Sequence, residues 1–202
     1  SISQEEECMP DLRGTGAGWK VLLTASALAL PAWAADKPGV GKPLPGFTAR
    51  DLLGREHSSH EYQGRPTLLV AITDKDAGEE MRRWFAAADQ HVPARIQRES
   101  VISLHLPFFV GLGTVRRRVQ EQVPRPFWDD TLLDRDGSLA KTLGLASSEV
   151  PYVFALDAQG RVLAVVRGKA DSPQASRIWS SLNGTPPSNT SPPEAPHGSG
   201  EK

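Results

Sequence analysis

A single cysteine, Cys8, stands in a chain of 202 residues, so neither a disulfide framework nor a Cys-x-x-Cys pair can form within it. Aromatic residues make up only 6% of the chain, and the formal net charge is −1, which excludes a general electrostatic attraction to nucleic acid. Any partner has to be chosen by local chemistry. Long hydrophobic runs are also missing: the main one, Val21 to Leu30, falls well short of the roughly 20 apolar residues that span a bilayer. No Met opens the sequence, although Met9, followed by basic and apolar stretches, would itself make a sensible start.

What is present begins with an export pattern. Arg13 and Lys20 precede the apolar run, and the small residues Ala32 and Ala34 form an A-x-A site, so the stretch reads as a secretory signal cleaved before Ala35. An uncleaved membrane anchor is the competing reading. Cleavage would leave a mature protein with no thiol at all, because Cys8 lies upstream. The expected organisation is an N-terminal extension and signal over 1–34, an extended lead-in over 35–45, one domain over 46–183, and a disordered tail over 184–202 rich in Pro, Ser and Gly. The expected destination is the periplasm or the exterior.

Within the domain, periodicity predicts strands alternating with helices. Phe47 to Leu53 alternates as a strand that ends at Gly54, and Thr67 to Ile72 is a continuous apolar run, as in a strand covered on both faces. Met81, Trp84, Phe85, Ala88 and Val92 fall on one face of a helix. Arg98 to Leu106 predicts the next strand, and Leu112, Val115, Val119 and Val123 a second helix ended by Pro124. A strand at Thr131 to Leu133, a short helix at Leu139 to Leu143 and the hairpin Tyr152 to Val166, turning at Asp157 to Gly160, follow. Asp171 or Ser172 is the expected cap of a last helix that buries Ala175, Ile178, Trp179 and Leu182.

The stretch TLLDRDGSLAKTLGLASSEVPYVFALDAQGRVLAVVRG, Thr131 to Gly168, together with the passage from Gly41 to Thr73, resembles a thioredoxin-like or redoxin domain. The resemblance implies an α/β fold of three layers, a mixed central sheet with helices on both faces. It makes Pro151 the proline, usually cis, that opens the penultimate strand. It also places the reactive Cys-x-x-Cys positions at Ala77 and Glu80, where there is no sulfur, so the chemistry of that superfamily cannot proceed by its own mechanism.

An acidic stretch occupies that helix start: Asp74, Asp76, Glu79 and Glu80. Carboxylates there favour the positive helix end, with Asp76 as cap and Glu79 completing a capping box. The sharper alternative is a Ca²⁺ or Mg²⁺ site at Asp74, Asp76 and Glu79, against which the ligand spacing speaks. Neither a metal nor any other cofactor is expected. His57 and His60 are expected as exposed polar residues and His105 as a hydrogen-bonded core histidine. Ser147 and Ser148 lack a hydrolase pattern, and Arg116 to Arg118 form a basic helix face. Asn183 and Asn189 match the glycosylation sequon.

Through the resemblance, Val150 and Pro151 are the expected edge of a groove where an extended peptide adds as a strand, the competing reading being a turn with no ligand. The function expected is a non-catalytic binding or accessory module of the cell envelope. Its alternatives are an oxidoreductase component relying on a partner's thiols, a metal-dependent activity at the acidic helix start, and a purely structural envelope role.

Overall fold

A computed structural model describes residues 38–105 and 109–184. The expected signal, Cys8, Leu106, Asn189 and nearly all of the tail lie outside the described residues.

The chain builds β1 (Thr48–Asp51), β2 (Glu56–Ser58), β3 (Thr67–Ile72), α1 (Gly78–His91), β4 (Gln97–Ser103), α2 (Leu112–Gln120), β5 (Thr131–Asp134), α3 (Ser138–Thr142), β6 (Tyr152–Leu156), β7 (Val162–Arg167) and α4 (Ala175–Leu182). Seven strands form one mixed sheet in the order β2-β1-β5-β4-β3-β6-β7. Its centre, β5-β4-β3, is parallel, and the pairs on either side are antiparallel.

β3 shows why an unbroken apolar run belongs in the middle. Leu68, Val70 and Ile72 face the layer of α1, α2 and α4, while Leu69 and Ala71 face α3 and the lead-in. Trp84 of α1 is fully buried and its indole N–H donates to the Gly168 carbonyl at 2.9 Å, which ties α1 to the end of β7. From α4, Ala175, Ile178, Trp179 and Leu182 complete that layer.

Several boundaries differ from the sequence expectation, each for a local reason. β4 stops at Ser103 because its partner β5 ends at Asp134, whose carbonyl takes the Leu104 N–H. His105 therefore lies outside the strand and is exposed rather than in the core. α2 ends at Gln120, ahead of Pro124, although Val123 still packs on the core. α4 begins at Ala175 with no side-chain cap, since Ser172 donates its hydroxyl to the Lys169 carbonyl instead.

Every peptide bond of the described residues is trans, Val150–Pro151 included. This corrects the expected cis proline. The extended loop brings Pro151 in as a buried residue whose carbonyl accepts from Gly168 N–H at 3.1 Å, so pairing with the β7 side continues one residue beyond β6.

Candidate functional site

The C-terminal end of β3 runs directly into the acidic segment, and each carboxylate there finds its own partner. Asp74, not Asp76, caps: its side chain accepts the Asp76 N–H at 2.9 Å and opens a 3-10 turn over Lys75–Ala77 before α1 starts. The capping box expected of Asp76 and Glu79 does not form, because the extra turn makes Ala77 the residue ahead of α1 and leaves that helix without a side-chain cap. Asp76 pairs with Lys75 at 2.7 Å, and Glu79 pairs with Arg82, whose guanidinium holds the exposed Glu79 carboxyl below its ordinary value. Among the described residues no group of three His, Cys, Asp or Glu is placed to hold a metal ion.

Ala77 and Glu80, which the sequence reading sets at the thiol-pair positions, are both buried. Ala77 is fully enclosed and packs in the core beside Met81. Glu80 accepts the Ala170 N–H at 2.8 Å and lies 3.5 Å from the Arg83 guanidinium. Its carboxylate thus satisfies a backbone donor in the connection between β7 and α4. A helix start that could activate a thiolate is used here for internal structure.

The loop before Pro151 is stitched to the same place. Thr73 donates its hydroxyl to the Ala146 carbonyl at 3.0 Å and accepts the Ser148 N–H at 3.0 Å. Ser148 in turn donates to the Val150 carbonyl at 2.8 Å and accepts the Val150 N–H at 3.2 Å. Both backbone groups on which peptide pairing at Val150 would depend are thereby held by one hydroxyl. Val150 itself is half-buried. Sequence reasoning brought Ala77, Glu80, Val150 and Pro151 to this end of the sheet but missed Thr73 and Ser148.

Two concavities lie elsewhere. One, of about 380 Å³, runs between α1 and α2 over β4 and is walled by Met81, Phe85, Ile102, Val123 and the exposed Phe127. The other, of about 150 Å³, is polar and lies beside β2 and the first residues of β4. There His57 differs from its expected role as a free surface histidine. Its Nε2 is 3.0 Å from the buried Asp51 carboxylate and its Nδ1 2.8 Å from Glu61, so the hairpin turns it into a bridge. Burial disfavours the charged ring, but the two carboxylates outweigh it and raise its pKa. Asp51 also accepts from the Arg55 backbone and side chain at 2.8 and 3.0 Å, and these bonds with His57 hold it below its ordinary value despite burial.

Asn183 donates its amide to the His91 carbonyl at 2.9 Å, so the sequon nitrogen is used within the fold.

No family model and no curated protein matches the chain. Solved structures do. An uncharacterized conserved protein from Geobacillus kaustophilus aligns over 75% of this chain and 86% of its own, at 14% identity and a TM-score of 0.55. MTB dsbF, solved in mixed oxidized and reduced forms, aligns over 71% of this chain and 99% of its own, at 21% identity and a TM-score of 0.50. An exposed lipoprotein thioredoxin from Streptococcus pneumoniae strain TIGR4 covers 68% of this chain and 99% of its own, at 15% identity and a TM-score of 0.49. The fold is thioredoxin-like, with a mixed seven-stranded sheet and a sequence holding one cysteine. Among the described residues no helix is long and apolar enough to cross a membrane.

Proposed function

We propose that the chain is an exported, non-catalytic binding or accessory module of the cell envelope, a thioredoxin-like scaffold without thiol chemistry whose ligand is an extended peptide beside Val150 and Pro151. The observation that carries this reading is the fate of the thiol-pair positions: Ala77 is enclosed in the core and Glu80 is committed to the Ala170 N–H. Export rests on the basic, apolar and A-x-A succession ahead of Ala35. Peptide recognition by strand addition needs backbone groups, not sulfur. At Val150 those groups are covered by the Ser148 hydroxyl, which has to swing aside. Exchanging such bonds for peptide bonds is nearly neutral, since each is worth only about 1 kcal/mol net.

The test is an array of extended ten-residue peptides probed with the full chain and with Pro151→Ala. A set of binders seen with the full chain and lost or weakened in Pro151→Ala supports the reading. No binder, or the same set with both proteins, overturns it.

A further inference from the structure

The small polar cavity beside β2 and β4 has a wall whose charges do not balance internally. Arg55 is engaged by Asp51 and lies 3.7 Å from Asp129, and His57 sits between Asp51 and Glu61. Those contacts use the two cations of the wall. Glu99 and Asp130 also line the cavity and have no cationic hydrogen-bond partner among the described residues.

Two side chains of the wall are almost entirely buried, with 4% of Glu99 and 3% of Tyr62 exposed. Glu99 has one hydrogen bond, a long one from Gln97 Nε2 at 3.5 Å, and its other oxygen accepts nothing among the described residues. The Tyr62 ring packs on Phe47, while its hydroxyl, acted on by the charges of Glu99, Glu61 and Asp130, has no hydrogen-bond partner among the described residues. The Glu99 carboxyl and the Tyr62 hydroxyl both line this cavity and keep hydrogen-bonding capacity that the described residues do not use.

We propose that this cavity binds an alkylguanidinium or alkylammonium cation, held between Glu99, Asp130 and Tyr62. The lining offers two carboxyls and a phenol as acceptors, and no metal-holding group of three is found among the described residues. Such a lining suits a cation that carries several N–H donors rather than a bare metal ion. A volume of about 150 Å³ admits a group of several heavy atoms and excludes a large ligand. The site belongs to the β2 and β4 side of the sheet and does not depend on the peptide reading of Val150 and Pro151.

Proton linkage follows from the same wall. Burial, then the Asp130 charge, push the Glu99 carboxyl up to about 8, with His57 and Gln97 opposing and Glu61 adding to the shift. Arg55 and Asp129 line the cavity as well. At neutral pH the cation therefore displaces the Glu99 proton, and above about pH 8 it meets the carboxylate already ionised. One proton with this pKa makes binding about tenfold tighter at pH 9 than at pH 7.

The experiment is calorimetric titration of the full chain with methylguanidinium chloride at both pH values, against sodium chloride at the same ionic strength. Saturable binding about tenfold tighter at pH 9, a pH difference abolished in Glu99→Gln, and weaker binding in Tyr62→Phe are the expected results. A blocked Gly-Arg-Gly peptide run in parallel separates the sources. Equal binding of the peptide assigns the site to an arginine side chain of a partner, and binding of the free cation alone assigns it to a small molecule. Heats no different from sodium chloride with both probes, or binding unchanged by both substitutions, overturn the proposal.

Discussion

Glu80 of α1 accepts the backbone N–H of Ala170 at 2.8 Å, joining two segments ninety positions apart in sequence. The carboxylate is largely buried, so water competes little for the bond. Removing the acceptor leaves the Ala170 N–H half-buried and unpaired. Glu80→Ala should lower unfolding stability by about 1–3 kcal/mol, while Glu80→Gln, which keeps an acceptor oxygen, should lose less. Urea unfolding of the three proteins checks this, and equal stabilities would show that the contact carries no weight.

Ser148 acts as a latch on Val150, donating to its carbonyl and accepting from its N–H. Ser148→Ala should cost about 1 kcal/mol of stability and leave both Val150 groups free. An extended peptide that binds there should then bind about fivefold tighter, the same free energy read as affinity. Fluorescence polarisation with any binder from the array measures it, and weaker binding by Ser148→Ala would mean that the hydroxyl helps the ligand instead of covering its place.

Gly137 holds φ at 74°, and a Cβ placed on it would come within 2.5 Å of the His105 ring. Gly137→Ala should therefore lose roughly 1–2 kcal/mol from the left-handed backbone and more from the crowded ring. His105 is exposed and its ring can be removed. Adding His105→Ala should recover the steric part and leave the backbone part, as thermal melts of the single and double variants would show.

Stability should fall from mildly acidic to alkaline pH. Asp51 and Glu61 lie below their ordinary values of 3.8 and 4.5, so their contributions are present above those values and lost only as pH falls through the lowered ones. Glu99 has the opposite sign: raised from 4.5 to about 8, its contribution is full below 4.5 and lost as pH rises through about 8. His57 is raised from 6.5, so its contribution is likewise full below that value and lost as pH rises through the folded one. Urea midpoints should drop between pH 5 and pH 9, and Glu99→Gln should remove much of the drop. A midpoint that rises over this range would contradict the placement of Glu99.

Hydrophobic pattern was the legible part of this sequence. The apolar run of Thr67 to Ile72 suited a strand covered on both faces, and the spacing of Ala175, Ile178, Trp179 and Leu182 named the buried side of α4 residue by residue. Polar geometry was less so. Asp74 and Asp76 are both sound caps, and the choice was made by a 3-10 turn that leaves no periodic trace. His105 looked like a strand residue until the ladder with β5 ran out at Asp134. The bridge of His57 between Asp51 and Glu61, and the latch of Ser148 on Val150, join side chains whose approach depends on turns rather than on spacing. The burial of Glu99 left no mark in the sequence, since it stands among Gln97, Arg98 and Ser100 in the polar half of β4 and is covered only once the strand is paired on both sides.

The central claim is that the thioredoxin-like scaffold works here without thiol chemistry, Ala77 and Glu80 having become structural. Insulin reduction in the presence of dithiothreitol, run with the full chain and with Cys8→Ser, tests it most directly. Both proteins should leave the uncatalysed rate unchanged. Turnover by the full chain that disappears in Cys8→Ser would make Cys8 a working thiol, and turnover that persists would reveal redox chemistry without cysteine; either result contradicts the account.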